Sequence, residues 1–424
     1  MLAAACSGGL PAVQVLLGHA SAAAAAAIAA RTAGAASSSG SSGGAAPAPA
    51  RRMSTFALAN TPLRSGPGGR SSVSGATATV FGATGFVGKY VVNELARNGT
   101  QVVCPHRDVE EAAMPLRQMG DLGQIVVLKG WSLGDDDMTR YALSRSNIVV
   151  NLIGATYETR NYSFEDVHTT WPAHLARLAK ENPLLERFVH VSDVGADPEH
   201  PSARMRSKAA GDAAVLAELP GLATVLRPAP VVGDEDDFLN NILAQVKLNA
   251  LFPLIDGGCQ RVQPHHVRDL AEAVTAALAT HDSLGKTYYL GGPEVVTLRD
   301  LVDLVRSTLN EDEDNTLYVP AALAKAIARP LDALKKRFPP LPTRNYMSTA
   351  DWVDEISTGK VVPDGVHTYA DLDMIPQRIT EGMAMEPIRY SRTGGYAHGD
   401  TRKLAQKLPH SVKRYYGMAH EFDK

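Results

Sequence analysis

The sequence predicts a doubly wound α/β fold, a mostly parallel Rossmann-type sheet wrapped by helices, followed by a smaller C-terminal α/β lobe and an irregular tail. Three observations predict it. With 424 residues, 45% of them hydrophobic, the chain can bury a large core with an appendage. From Thr77 onward, short apolar runs bounded by turn residues alternate with stretches of helical periodicity. The first of these runs opens directly into three glycines, Gly82, Gly85 and Gly88, that begin a helix.

The first strand is expected at Thr77-Ala78-Thr79-Val80-Phe81, where Gly/Pro/Ser-rich sequence gives way to apolar residues. Val87, Val91 and Leu95 then share one helical face, and Asn98-Gly99 ends that helix because a left-handed position after the last turn suits glycine. Further strands are expected at Gln101 to Cys104, Ile125 to Leu128, Ile148 to Ile153, Phe188 to Val191 and Ala223 to Leu226. Helices fit Asp135 to Arg145, the run through Phe164, Val167, Trp171, Leu175 and Leu178, and Ser207 to Ala217. Beyond Leu226 the alternation loosens. Helices are expected at Phe238 to Leu248, Val267 to Ala279 and Leu298 to Leu309, with short strands between them.

This divides the chain into an N-terminal leader and linker over 1–70, a dinucleotide-binding domain over 76–235, a smaller lobe over 236–310 and a C-terminal docking extension over 311–424. The leader holds no Asp or Glu before Glu94, yet carries Arg31, Arg51, Arg52, Arg64 and Arg70 in Ala/Ser-rich sequence. That composition marks an organelle transit peptide, mitochondrial or plastid, because import toward negatively charged receptors and an inside-negative potential selects against acids. The run Ala22 to Ala27 is too short and too weakly apolar to span a membrane. In the tail, Lys325, Arg329, Lys335, Lys336 and Arg337 lie among apolar residues ahead of Phe338-Pro339-Pro340-Leu341-Pro342. A solvated helix face and a docking surface for a partner or a membrane both fit that pattern.

A net charge of −3 gives no general drive toward nucleic acid, and no basic groove interleaved with aromatics is present. Three cysteines, Cys6, Cys104 and Cys259, are too few and too far apart for a zinc ribbon or an iron–sulfur cluster, so reduced thiols and no metal are expected.

Gly82-Ala83-Thr84-Gly85-Phe86-Val87-Gly88 carries the first functional signal. In such a segment the first glycine permits a tight turn, the second lets backbone approach a pyrophosphate, and the third lets helix and strand pack closely. The helix N-terminus then offers unpaired amides to phosphate. At the end of the second strand, where an acid would bind a ribose 2′-hydroxyl, stands His106-Arg107. Arg107 fits a 2′-phosphate and favours NADPH (NADP), while the adjacent Asp108 keeps NAD open. Gly154 and Ala155, at the end of the fourth strand, leave room for the nicotinamide half.

The glycine spelling, Asn151-x-x-Gly154-Ala155, Arg227-Pro228 with Gly233, and Val267-Arg268-Asp269 together resemble the extended short-chain dehydrogenase/reductase family. The resemblance implies a Tyr-x-x-x-Lys pair for proton transfer and a serine after the fifth strand. Here the lysine is Lys208 and the serine Ser192, but Arg204 stands four residues before Lys208, and no tyrosine occurs between Tyr162 and Tyr288. Arginine cannot exchange protons near neutral pH. Stretches such as Asn151 to Val167, Phe188 to Ser192 and Gly233 to Asn240 are more closely similar to the nucleotide-binding accessory subunits of mitochondrial NADH:ubiquinone oxidoreductase, complex I. That similarity implies a non-catalytic NADPH-binding subunit at the junction of the peripheral and membrane arms, peripheral to the inner membrane on its matrix side. It implies other complex I subunits as partners, no homo-oligomer, and Lys208 on the nicotinamide ribose. The alternative is a free mitochondrial or plastid NADP-dependent reductase or epimerase.

Overall fold

Alternate residues of a strand point to opposite faces of its sheet, so an all-apolar strand needs a core on both sides. The computed structural model, which describes residues 73–107, 110–247, 252–309, 316–337 and 349–379, has this arrangement. On β4 (Ile148–Asn151), Ile148 and Val150 enter one core while Val149 enters another. On β5 (Arg187–Val191), Val189 and Phe188 divide in the same way.

The seven-stranded sheet is parallel throughout. Its order is β3 (Ile125–Lys129), β2 (Gln101–His106), β1 (Thr77–Phe81), β4, β5, β6 (Ala223–Pro228) and, at the far edge, Thr287–Leu290. One face is covered by α1 (Phe86–Arg97) and by Val267–Ala279, whose Leu270, Val274 and Leu278 join Val91 and Leu95 of α1 in one core. The other is covered by α3 (Asp136–Leu143), α4 (Trp171–Lys180) and α5 (Ala203–Glu218). There Phe81, Trp131 and Trp171 meet edge to face or tilted at 5.2–5.6 Å between ring centres. The short α2 (Glu110–Arg117), not expected from the sequence, links β2 to β3.

The boundary at 235 needs correction. The helix Val267–Ala279 and the strand Thr287–Leu290, expected in the smaller lobe, return to the main sheet and complete it. What remains of the lobe is β7 (Val231–Val232), α6 (Phe238–Lys247), β8 (Phe252–Ile255), β9 (Arg261–Val262) and β10 (His265–His266). In chain order the sheet-returning elements are α7 and β11, followed by β12 (Val296–Thr297), α8 (Leu298–Leu309), β13 (Thr316–Val319), α9 (Ala321–Arg337) and α10 (Ala350–Thr358). The lobe's core joins Ile242 of α6, Leu254 of β8 and Val302 of α8 to Trp352, Val353 and Ile356 of α10. Part of the expected docking extension is therefore built into the fold: α10 lies in this second core, and Tyr369 and Leu372 pack on the main one.

The expected leader over 1–70, Asp108 and the segment 338–342 lie outside the described residues. Of the basic cluster in the tail, Lys325 is ion-paired with Asp354, and Arg329 is exposed on α9 near the exposed Leu323, Ile327 and Leu331. No helix among the described residues is long and apolar enough to cross a membrane. Cys104 is a free, buried thiol.

The run through Phe164 and Val167 enters α4 by one π-helical turn, Asp166–Thr170. This turn lies against α5 so closely that a Cβ on Gly211 would stand 1.9 Å from the His168 carbonyl oxygen. Gly211→Ala must push the two apart, and we expect a loss of about 1–3 kcal/mol in urea denaturation, the range for overpacking a buried contact. An unchanged midpoint would show that α5 separates from the turn without cost.

Candidate functional site

In an open parallel sheet, ligands bind beyond the carboxyl ends of the strands where the strand order reverses. Here that point lies between β1 and β4. A cleft of about 390 Å³ opens there, floored by the glycine turn, the segment after β4, the end of β5 and the end of β6.

Gly82 follows β1 with φ +84°, and a Cβ on it would come within 3.1 Å of the Leu152 backbone. A Cβ on Gly88 would lie 2.2 Å from the Gly82 carbonyl oxygen, so only glycine lets α1 start this close to the strand. Gly85 precedes α1 without a side-chain cap, and the first turn holds no acid. The helix thus begins with uncapped amides facing the cleft, an arrangement that fits a dinucleotide pyrophosphate. Of the residues expected here, Gly82, Gly85, Phe86, Val87, Gly88, Gly154, Ser192 and Lys208 line the cleft. Ala83, fully buried, and Thr84 shape the turn without lining it, and Arg107 stands exposed at the end of β2, outside the lining.

Past β4 the backbone is fixed by a side chain that the sequence reading missed. The Ala155 amide donates to His168 Nε2 at 2.9 Å, so Nε2 must be the bare nitrogen, and Nδ1 carries the proton toward Ser207 Oγ at 3.0 Å. The Ser207 hydroxyl in turn donates to the Arg204 carbonyl at 2.8 Å. Burial, together with Lys208 and Arg204, pushes the His168 pKa down to about 2 and keeps the ring neutral.

α5 brings Arg204 and Lys208 to the cleft on one helical face. Neither belongs to a solvated basic turn, since their side chains are 9% and 15% exposed. Lys208 Nζ donates to the Ser192 carbonyl at 3.1 Å and lies 3.8 Å from Asp193. Burial lowers its pKa to about 8. Arg204 meets neither Asp193 nor an open space for phosphate: its guanidinium pairs through Nε and a terminal nitrogen with Glu355, from α10. Just past α10, Lys360 bridges Glu355 and Asp193 at 3.1 Å each.

Burial would raise both carboxyls, but the cations override it. Lys360, Lys208 and Arg204 hold Asp193 well below the usual carboxylate range, and Lys360 and Arg204 bring Glu355 to about 2. Glu355 and Lys360 lie about 150 residues from the other members, and nothing local in the tail marks them. Only the tertiary fold could have found them.

Behind the cleft, Asp212 is raised to about 6 by burial, against the pull of Arg227 (2.9 Å) and Ser192. The Ser192 hydroxyl makes no hydrogen bond of ordinary length. His190 accepts from Asn151 Nδ2 at 3.1 Å, and burial lowers it to about 3.

These shifts set the acid response. His168, with an ordinary pKa of 6.5 and a folded value of about 2, opposes folding increasingly as pH drops below 6.5. Glu355 stabilises above its ordinary 4.5, and that contribution is lost as pH falls toward about 2. Asp212 works the other way, gaining a proton in the folded state near 6. In urea unfolding across pH, stability should decline below pH 6.5, and His168→Gln should reduce the slope between 6.5 and 4.5 by up to about one proton. An identical slope in the variant would mean that His168 protonates freely in the folded chain.

The model of the NAD dependent epimerase/dehydratase family matches residues 78–291. The chain is 41% identical over 348 residues to "NADH dehydrogenase (ubiquinone) 1 alpha subcomplex subunit 9, mitochondrial" of Arabidopsis thaliana, covering 82% of this chain and 85% of that one. It is 38% identical over 329 residues to the mouse protein of the same name, covering 77% and 84%. Among solved structures, dTDP-glucose 4,6-dehydratase from Bacillus anthracis in complex with NAD aligns with a TM-score of 0.55 at 16% identity, over 76% of this chain and 98% of that one, a likeness of fold. The chain belongs to the NAD dependent epimerase/dehydratase family and, within it, to the family of the mitochondrial alpha subcomplex subunit 9 proteins.

Proposed function

We propose that this chain is an accessory subunit of mitochondrial complex I that holds NADP(H) as a structural brace and performs no redox or proton-transfer chemistry of its own. The observation that carries the proposal is Arg204. The place four residues before Lys208, where the wider family resemblance calls for a tyrosine, holds a buried guanidinium engaged by Glu355. Among the described residues, those lining the cleft include no tyrosine, cysteine or histidine. Asp193, Arg204, Lys208, Glu355 and Lys360 are committed to one another.

The cradle still suits a nucleotide. Gly82, Ala83, Thr84, Gly85, Phe86, Val87 and Gly88 would hold the pyrophosphate, Gly154 and Ser192 would border the nicotinamide half, and Lys208 would bind its ribose. When bound, a nicotinamide dinucleotide supplies hydride chemistry in enzymes. Here its contribution would be to stability, by roughly 4 kcal/mol at a ligand concentration a thousandfold above Kd. Lys208, which donates to the Ser192 carbonyl and lies 3.8 Å from Asp193, brings a positive charge to the cleft that favours a phosphorylated ligand. We assign the 2′-phosphate to Arg107, exposed at the end of β2, which makes NADPH the preferred form. The relatives' names support a mitochondrial address and complex I partners. On this reading the subunit lies on the matrix side at the junction of the arms, peripheral to the inner membrane, and supports assembly and stability. It binds no nucleic acid and forms no homo-oligomer.

Blue-native separation of mitochondrial membranes in mild detergent, with extraction of bound nucleotide, tests the assignment. Co-migration of the chain with complex I and recovery of NADPH are expected. A small soluble species that turns over carbonyl or sugar-nucleotide substrates with NADPH would overturn it. For the purified protein, Arg107→Ala should weaken NADPH at least tenfold and leave NADH unchanged, since a charge-assisted phosphate contact is worth about 1.5–3 kcal/mol. Equal losses for both nucleotides would remove Arg107 from the 2′-phosphate. Binding of NADPH should also weaken as pH rises through about 8, where Lys208 loses its proton.

A further inference from the structure

One wall of the cleft is built by a segment from far along the chain. Trp352, Glu355, Ile356 and Lys360, all from the segment 349–362, line the cleft opposite the glycine turn and Ser192. Their hold on the sheet domain is not confined to the ion pairs. Asp351 Oδ1 accepts the Ala203 amide at 2.9 Å and the Ser202 hydroxyl at 3.2 Å, capping the start of α5 from outside. His200 meets the Thr358 hydroxyl at 2.8 Å. At its far end the segment is pinned by backbone: the Lys360 amide donates to the Arg261 carbonyl at 2.9 Å and the Gln263 amide to the Lys360 carbonyl at 3.0 Å.

The helix so gripped, α5, also carries Lys208, and the loop so gripped carries Asp193 next to Ser192. We propose that the segment 349–362 is a strap that walls the cleft and couples its own docking to nucleotide retention: bound nucleotide tightens the docked strap, and the strap slows nucleotide release. The inference rests on the nucleotide reading above and adds what closes the site. Asp193 and Glu355 form the joint, because Lys360 bridges them across the cleft while Arg204 ties Glu355 to α5.

Two measurements on the full-length protein test this. Hydrogen exchange of the backbone over 350–362 is followed with and without saturating NADPH, and release of NADPH is timed by displacement. Protection of 350–362 on binding is expected, together with release at least tenfold faster in Glu355→Gln. Because Glu355→Gln leaves Arg204 and Lys360 short of a buried carboxylate and so threatens the lobe, Asp351→Ala, which removes the external cap on Ala203 and Ser202, is the second variant, expected to quicken release severalfold. Saturable binding with unchanged exchange over 350–362 and wild-type release in Asp351→Ala would overturn the strap while leaving the nucleotide reading intact. Absence of saturable binding to the wild-type chain would overturn both.

Discussion

The arrangement of the site depends on one buried charge cluster, the joining of Asp193 and Glu355 by Lys360 with Arg204 and Lys208 on its flank. Its members come from the end of β5, from α5 and from α10 and the chain just after it, so it connects the sheet domain to the lobe at the mouth of the cleft. Charges this deep cost several kcal/mol each to desolvate, and their mutual attraction with hydrogen bonds roughly offsets that. The net gain in stability is therefore small. The gain in geometry is large, because any displaced member leaves an unpaired buried ion, and the three elements can meet in few other ways.

A second constraint works through backbone. β1, the glycine turn and α1 approach one another so closely that Gly82 and Gly88 tolerate no side chain, and α5 meets the π-helical turn at Gly211 under the same restriction. These contacts set α1 and α5 on either side of the cleft. His168 then fixes the backbone after β4 to α5 through Ser207, which places Gly154 and Ala155 at a defined height above the sheet. Polar bonds orient the cleft; apolar packing of the two sheet faces holds it in place.

Much of the fold was legible in the sequence because it follows from local patterning. Apolar runs gave six strands to within a few residues, and the helices Val267–Ala279 and Leu298–Leu309 came out at their observed limits. The seventh strand, Thr287–Leu290, was not placed in the main sheet, since nothing in a four-residue strand says which edge it joins. The glycine cradle was readable because glycine spacing is a local property. The partner of Arg204 was not, because Glu355, a carboxylate 151 positions away, acts only through the tertiary fold. His168 was hidden for another reason, as one polar residue on an otherwise apolar helical face.

The cluster also bears on why a nucleotide cradle persists on the proposed non-catalytic reading. An enzyme of this architecture needs an open substrate half and a side chain that titrates there. In this chain Trp352 and Ile356 wall the cleft, and the place of a titrating side chain is held by a guanidinium that cannot give up its proton. Nothing in that replacement disturbs the other half, where uncapped helix amides remain directed at the cleft. Left empty, those groups would be poorly satisfied; a bound dinucleotide would complete them and tie the glycine turn to α5. The same physical features that would bind a cofactor for chemistry thus suffice to make it part of the fold, and the selective pressure that keeps the cradle need not be catalytic.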